Sequence, residues 1–426
     1  MRINKTIFLL IFLFTLTFVL NGQKQVNSPY SRFNLGAMEP TGPFRSIGMG
    51  GIGVSLRDNS SIFFVNPASY SSLDTNSFIF DFGIDYSYNT ISDSSASYSS
   101  DDMNFDHLII GFPITKGWGF ATGVFPVSSG YYRLTDEVLE SDADYNPAVG
   151  TYRTNHMGEG SFNKFFMGTG VKLNKNFSAG VNMTLLFGQI RRTNQFVFDD
   201  LLNVFHNSSS ENLQLGGINF DYGIQYTTSL KNKYFINAGI SFTTKKYYNT
   251  DYDHYIYKYT AYGIRDTISF TTEKGSSLIP GTIRAGVAIG QINKFTAGLD
   301  FVATQWSNST IPGSAGYLAD TKTLLFGIEY TPDKFSNFSF LKRVDYRLGG
   351  HAGNNYLMFD GEHVNEIGAS FGLGIPMTKT KSKTNLFFDY TRKYGSSGGN
   401  LPSENYYTLG ISLNLYDFWF IKRKYD

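Results

Sequence analysis

The feature that most constrains the fold of this chain is a two-residue alternation, repeated from Asn76 almost to the C-terminus, in which every second side chain is bulky and apolar. This period is typical of β-strands with one apolar face. The other face carries glycine and small polar residues with few charges, which fits a membrane barrel lumen better than the surface of a soluble sandwich. In the first segment the apolar face holds Phe78, Phe80, Phe82 and Ile84, and the polar face holds Asp81, Gly83 and Asp85.

The alternating segments predict the number of strands and their orientation. The links after even-numbered segments are mostly short and contain lysine, whereas those after odd-numbered segments are nearly all longer. Outer-membrane barrels have an even strand number, short periplasmic turns and longer external loops. We therefore predict an all-β fold, a transmembrane antiparallel β-barrel occupying residues 76–426. Its fourteen strands lie at about 76–89, 104–115, 117–128, 160–174, 176–192, 215–231, 233–246, 280–291, 293–306, 320–332, 342–353, 362–377, 383–394 and 404–416.

Tyrosine and tryptophan gather near the predicted strand ends. Amphipathic rings of this kind sit at the headgroup level of a bilayer, although aromatic side chains also favour β-structure in general. We interpret them as two interfacial girdles. Their members are Tyr86, Tyr88, Trp118, Tyr226, Trp306, Tyr330, Tyr390, Tyr407 and Trp419.

Composition excludes several kinds of protein. The 426 residues include no cysteine, which removes disulfides, a thiol nucleophile, zinc ribbons and iron-sulfur clusters. A formal charge of +1 gives no reason to expect a nucleic-acid partner. The six histidines show no metal-ligand spacing, and no phosphate-binding glycine loop occurs. We predict a protein that is not an enzyme and has no cofactor, with a Ser-His esterase as a minor alternative.

The N-terminus has the pattern of an export signal. Arg2 and Lys5 precede the apolar run Ile7–Leu20, which is followed by a small-residue site near Gly22. An uncleaved anchor is the alternative, but a membrane-spanning helix needs about 20 apolar residues. We predict that residues 1–22 are a cleaved signal peptide and that the mature chain lies in the outer membrane of a Gram-negative cell.

Residues 23–75 do not alternate and contain several prolines together with the run Gly48-Met49-Gly50-Gly51. Irregular backbone at membrane depth is tolerated only inside a protein or against a water-filled cavity. We expect this segment to fold into the lumen from the periplasmic end, as a plug.

Three motifs in that segment resemble the hatch of the FadL family of outer-membrane transporters for long-chain fatty acids and aromatic hydrocarbons. They are Arg45-Ser46-Ile47-Gly48-Met49-Gly50-Gly51, Asp58-Asn59-Ser60-Ser61 and, as the most specific one, Asn66-Pro67-Ala68 just before the first strand. The resemblance implies capture of an apolar solute in an external groove, transfer to a pocket beside the plug, and sideways release through a gap in the wall.

Candidate residues for each stage follow from that resemblance. Exposed apolar side chains often mark binding sites, so we place the groove in the third external loop, although the loop could also bury them. The family's third strand is kinked at the lateral opening, and we place this gate at Pro126, whose missing N–H interrupts strand pairing. We expect the gate to open when Asn66-Pro67-Ala68 shifts. The groove residues are Phe196, Phe198, Leu201, Leu202 and Phe205. For the tyrosine-rich fourth external loop, 247–279, two expectations stay open: it contributes to the groove, or it forms a hairpin that extends beyond the membrane.

Charged residues on the polar face of the strands are expected to pair in the lumen with one another or with Arg45 and Arg57 of the plug. Because an arginine can hold a carboxylate through two hydrogen bonds, Arg343 and Arg347 are also candidates for a fatty-acid head group. The predicted lumen set is Asp81, Asp85, Asp300, Arg343, Arg347 and Glu366.

Two functions remain open at this point. The first is passive uptake of hydrophobic small molecules such as long-chain fatty acids. The second is protein handling, either like the FadL-like PorV component of type 9 secretion or as an accessory subunit of an outer-membrane complex. The expected partners are therefore outer-membrane lipids and either a hydrophobic small molecule or other outer-membrane and surface proteins.

Overall fold

The structure is a computed structural model. It describes residues 28–92, 97–143, 145–198, 204–231, 233–260, 262–263, 265–312, 318–359, 361–377, 381–396 and 401–419. The predicted signal peptide lies outside the described residues. None of the described helices is long and apolar enough to cross a membrane.

The described residues form eighteen β-strands in one antiparallel sheet. Fourteen of them make a closed barrel, because the last strand pairs with the first (Leu415 opposite Phe80). These are β2 (Ser77–Ser92), β3 (Ser97–Thr115), β4 (Trp118–Ser129), β6 (Tyr152–Lys172), β7 (Phe177–Phe198), β8 (His206–Leu230), β9 (Tyr234–Thr243), β12 (Thr282–Gln291), β13 (Phe295–Thr304), β14 (Thr321–Tyr330), β15 (Asp345–Phe359), β16 (Glu362–Pro376), β17 (Lys383–Gly395) and β18 (Ser403–Phe418). The predicted fourteen-stranded barrel is confirmed.

The alternation separates a lipid-facing surface from a lumen, as expected for a barrel. On β2, Ile79 and Asp81 point inward and are buried, while their neighbours in the sequence face outward. The outward apolar side chains of the other strands are likewise exposed, for example Leu299 and Phe326.

Four strands lie outside the barrel wall, and three of them lie in predicted loops. They are β1 (Ala37–Met38), β5 (Tyr132–Val138), β10 (Lys246–Tyr259) and β11 (Arg265–Ile279). The predicted loop 129–159 was wrong in part, since it contains β5. For residues 247–279 a hairpin beyond the membrane was one of the two expectations, and β10 and β11 form such a hairpin. The amphipathic pattern could not mark these strands, because β11 is exposed on both faces over most of its length.

Three of these strands, β5, β10 and β11, extend the barrel into an outer sheet of six strands, which also includes the distal parts of β6, β7 and β8. β6 pairs with β4 near the membrane and with β5 farther out. β8 similarly pairs first with β9 and then with β10. Because the long connections of outer-membrane barrels are external, this sheet projects from the cell surface.

Residues 28–76, here called the N-terminal segment, lie inside the barrel. They contain 3-10 helices at Pro29–Arg32 and Pro67–Ser72, β1, and one α-helical turn at Phe44–Ile47. At the outer end the Ser28 hydroxyl donates a hydrogen bond to the Glu404 carboxylate. At the short-turn end the Trp419 backbone amide donates to the Asn76 carbonyl. The segment therefore runs through the lumen from the outer end towards the periplasmic end.

Candidate functional site: the lumen and its lateral seam

The Asn66-Pro67-Ala68 motif begins the 3-10 helix that closes the short-turn half of the lumen. The Asn66 side chain accepts from the Ala68 amide (3.1 Å), which caps this helix. Its amide group donates to the Val54 carbonyl (2.8 Å) and also lies 3.3 Å from the carbonyl of Ile224 on β8. A short polar side chain is needed here, because one residue must satisfy buried backbone groups of both the segment and the wall.

Glycines in the wall allow the segment to approach the strands closely. A Cβ at Gly170 or Gly180 would meet the Pro67 backbone, and one at Gly223 would meet Asn66. A Cβ at Gly239 would meet the Val54 carbonyl. The inward-facing glycines that the sequence shows on these strands therefore serve to fit the segment rather than to form turns.

A buried ion-pair network ties the segment to the opposite wall. Arg45 contacts Asp58 at 2.8 Å and Glu329 at 2.7 Å. Glu329 also accepts from Arg347 at 2.7 Å, and Arg347 lies 3.4 Å from Asp345. Arg347 is 1% exposed, so its guanidinium is occupied by protein carboxylates. This geometry leaves no donor pair of Arg347 facing a ligand head group.

The charges of the segment are stabilised by this arrangement. Burial alone would raise the pKa of the Asp58 carboxyl, but Arg45 and Lys383 together hold that pKa well below its ordinary range. Burial likewise opposes the charge of Arg45, and its acidic neighbours, above all Glu329, raise the pKa well above the usual value. Arg57 lacks such compensation, and burial lowers its pKa to about 10.

Two of the predicted lumen carboxylates, Asp300 and Asp81, also make contacts inside the barrel. Asp300 accepts from the amides of Gly53 (2.7 Å) and Val54 (2.9 Å). Asp81 lies 3.4 Å from the His107 ring. Glu329 was not among the predicted residues, although its position between the outward Ile328 and Tyr330 places it on the inward face.

Above the segment lies a cavity of about 480 Å³ with two unlike walls. One wall is formed by β2, β3, β16 and β17 and is acidic. The described basic side chains on this side of the cavity are His351 of the adjoining strand β15 and Lys393 of β17. The acidic wall contributes Asp85, Asp106, Glu366 and Asp389, and Glu39 of the segment joins them.

The opposite cavity wall is mostly apolar. It is formed by β4, β6, β7 and β8 and is lined by Phe125, Val127, Phe162, Leu186 and Leu215. Its polar members include Lys164, Asn219 and Asp221. The cavity as a whole is therefore amphipathic, with more carboxylates than basic groups.

A seam divides the barrel wall between β3 and β4. Their pairing starts beside the short turn and ends at Leu108 opposite Val124. Beyond that point β4 passes Pro126 and turns towards the N-terminal segment, where Met38 pairs with Ser128. Pro126, the predicted gate, lies at this departure point.

The predicted groove residues lie far along the outer sheet. Phe196 and Phe198 belong to the end of β7, and Phe205 lies just before β8 with the Lys258 ammonium 4.9 Å from its ring centre. None of these three residues lines the described cavity walls. Leu201 and Leu202 lie outside the described residues.

Two other positions differ from prediction. Arg343 was expected on the lumen face of a strand, but it ends a 3-10 helix (Leu341–Arg343) before β15 begins at Asp345. The strand starts later because the chain makes a helical turn first. Trp306 was expected in a girdle, but it lines the cavity and its ring lies 5.0 Å from that of Tyr356.

This combination of a fourteen-stranded barrel and an internal N-terminal segment can be compared with known proteins. The BamG family model matches residues 3–426. The chain belongs to the BamG family. The match extends over the barrel and the N-terminal segment together. No curated protein sequence matches the chain.

Solved structures with the same fold are channels and transporters. CymD, described as a monoaromatic hydrocarbon channel, has 15% sequence identity and a TM-score of 0.57, with 90% of this chain and 98% of CymD covered. The toluene transporter TbuX of Ralstonia pickettii has 13% identity and a TM-score of 0.57, with 88% of this chain and 98% of TbuX covered. A FadL homologue of Pseudomonas aeruginosa has 13% identity and a TM-score of 0.57, with 89% of this chain and 98% of the homologue covered. This member of the BamG family thus has the fold of outer-membrane hydrocarbon channels, and the predicted FadL resemblance holds at that level.

Proposed function

We propose that this protein is a non-enzymatic outer-membrane barrel that acts as an accessory subunit of an outer-membrane protein complex. The observation that carries the proposal is the outer sheet, in which six paired strands extend beyond the lipid-facing band. A pore that only admits small molecules does not need such a platform. The fit of the N-terminal segment and the buried ion pairs also support a lumen that stays closed.

The outward face of the outer sheet is the surface that a partner would meet. Directly paired residues share one face of a sheet, and a row of them crosses four strands: Met157 opposite Thr193, Thr193 opposite Ser210, and Ser210 opposite Tyr255. All four line a cleft of about 980 Å³ that also receives Arg265. Polar surfaces with tyrosine and arginine are typical of protein-protein contacts.

A purification under native conditions tests the proposal. With a tag placed after Asp426 and extraction in mild detergent, native mass spectrometry is expected to show the barrel with other outer-membrane or surface proteins in fixed stoichiometry. Ser210→Arg would place a long charged side chain in the cleft and is expected to release them. Ser276→Arg is the matched control, because Ser276 is exposed on β11 and does not line the cleft. A barrel that purifies alone would contradict the proposal.

A second candidate function is the passage of small apolar or amphipathic molecules, and the seam beside Pro126 is the observation that favours it. Phe125 and Val127, on either side of Pro126, line the cavity, so a solute could leave sideways there. The acidic wall argues against fatty-acid anions, because like charges repel. Neutral aromatic compounds or cationic amphiphiles are better matched to this cavity.

This candidate function predicts a small molecule in the native spectrum. Thr304→Trp would fill the cavity from the lumen side, whereas Val287→Trp places the same ring on the lipid-facing surface. Loss of a bound small molecule from the first variant but not from the second would favour passage. If neither variant nor the unaltered protein carries a small ligand in the native spectrum, the passage of small molecules is excluded.

A further inference from the structure

The two strands that border the seam differ in how their edges are completed. β2 and β3 stay paired as far as Ser92 opposite Ser97, whereas β3 and β4 separate above Leu108. The outer part of β3 therefore has a neighbour on one side only. We call Met103–His107 the β3 edge.

The other side of the seam is completed from within the chain. Ala37 and Met38 form β1, which pairs with Ser129 and Ser128 of β4. The Glu39 amide also donates to the Val127 carbonyl at 2.9 Å. The protein thus adds a short strand to one edge of the split, while no described strand pairs with the β4-facing side of the β3 edge.

The β3 edge lies at membrane depth. Phe105 is opposite Ile84 and Met103 is opposite Tyr86, so both share the lipid-facing side of β2. Their side chains are 40% and 54% exposed. An unpaired strand edge is a template for pairing with another chain. On the lumen side Asn104 and Asp106 line the cavity, where unpaired backbone groups are tolerated, whereas groups that face hydrocarbon without a partner are strongly disfavoured.

We propose that the β3 edge pairs with a β-strand of a different outer-membrane protein, so that the partner's strand continues the sheet at the seam. The inference rests on the proposed function, because it names the contact through which the complex would form. Main-chain hydrogen bonds would supply the affinity, as in other strand-addition complexes. The partner strand would present apolar side chains towards lipid beside Met103 and Phe105.

Charge indicates which kind of strand fits. Three carboxylates, Asp101, Asp102 and Asp106, occur within the seven residues from Asp101 to His107. The His107 ring contacts Asp106, and carboxylates still outnumber basic side chains in this segment. A second copy of this chain would bring two such acidic edges together, and like charges opposite each other weaken strand pairing. A strand carrying lysine or arginine on its lumen side and outer end is the complementary partner.

Site-specific photo-crosslinking in cells tests the pairing. A photoreactive phenylalanine analogue replaces Met103 in one variant and Phe105 in another, and the crosslinked peptides are mapped by mass spectrometry. The expected result is one partner protein, crosslinked at two sites two residues apart on one of its strands. Leu299 and Phe326, which are lipid-facing residues on strands paired on both sides, are the matched control positions and are expected to capture lipid only.

The outcomes separate this inference from the proposed function. Crosslinks to lipid alone, to the same chain, or to β3 of a second copy would overturn strand addition by a different protein. Protein crosslinks of equal yield at the control positions would do the same. If partners co-purify and depend on Ser210 but never crosslink at the β3 edge, the inference fails while the proposed function stands. If nothing co-purifies, the proposed function fails.

Discussion

The short-turn half and the outer half of this barrel differ in strand pairing and in how the lumen is filled. In the short-turn half every strand is paired on both sides, and the N-terminal segment fills the lumen through backbone contacts with wall glycines and through buried ion pairs. In the outer half β6 and β8 change partners, β3 loses one neighbour, and a cavity with an acidic wall remains. The comparison indicates that the inner half is built to stay closed, and that the outer half is where other molecules are met.

The largest effect on stability is expected from breaking the ion-pair network of the inner half. Arg347→Met leaves the buried Glu329 and Asp345 carboxylates without this partner, and removing one member of a buried pair typically costs about 3–5 kcal/mol. Urea unfolding of the purified barrel in detergent, read from its gel mobility with and without boiling, measures the change.

The outer sheet offers the matched control for that measurement. Arg191 and Glu159 form an exposed pair at 3.0 Å, with side chains 49% and 63% exposed. Arg191→Met should change the free energy of unfolding by about 1 kcal/mol or less, as surface pairs usually do. Equal losses in the two variants would show that the two halves do not differ as described.

A somewhat smaller effect is expected from adding one methyl group to the wall. Gly223→Ala should destabilise the barrel by about 1–3 kcal/mol, because the new Cβ would meet Asn66 and overpacking forces neighbours to move. Gly216 lies on the same strand, and no atom lies within 4 Å of a Cβ placed there. Gly216→Ala should therefore be neutral or slightly stabilising, and a loss as large as that of Gly223→Ala would argue against close packing of the segment.

Acid should loosen the inner half before the outer sheet. The Asp58 pKa is lower in the folded protein than in the unfolded chain, so the unfolded state binds more protons as the pH falls. The stabilisation is fully present above the unfolded pKa of about 4 and is lost progressively below it. Proteolysis within the N-terminal segment, followed between pH 7 and pH 3, reports the loosening. Asp58→Asn should be less stable at neutral pH and should show a weaker dependence on pH.

The sequence could predict the barrel because lipid forces each strand to alternate. That constraint ends at the membrane surface, where β11 is exposed on both faces over most of its length and β10 shows no regular alternation of buried and exposed residues along most of its length. Inside the lumen, the pattern marks which residues face inward but not which ones meet. Asp300 lies on the polar parity of its strand and is buried, yet its contacts with the Gly53 and Val54 amides depend on the path of an irregular segment that has no period.

The smallest effect is expected at Pro126, and it distinguishes two causes of the seam. If the missing N–H of proline caused β4 to leave β3, Pro126→Ala would let the two strands pair further. The structure instead holds the outer end of β4 through β1 and the Glu39 amide, which the substitution does not change. The free energy of unfolding should therefore change by about 1 kcal/mol or less. Because the chain has no cysteine of its own, Phe105→Cys gives a single labelling site, and a membrane-permeant maleimide should label it equally fast with and without Pro126→Ala. Strong protection of that cysteine in the Pro126→Ala variant would instead assign the seam to the proline.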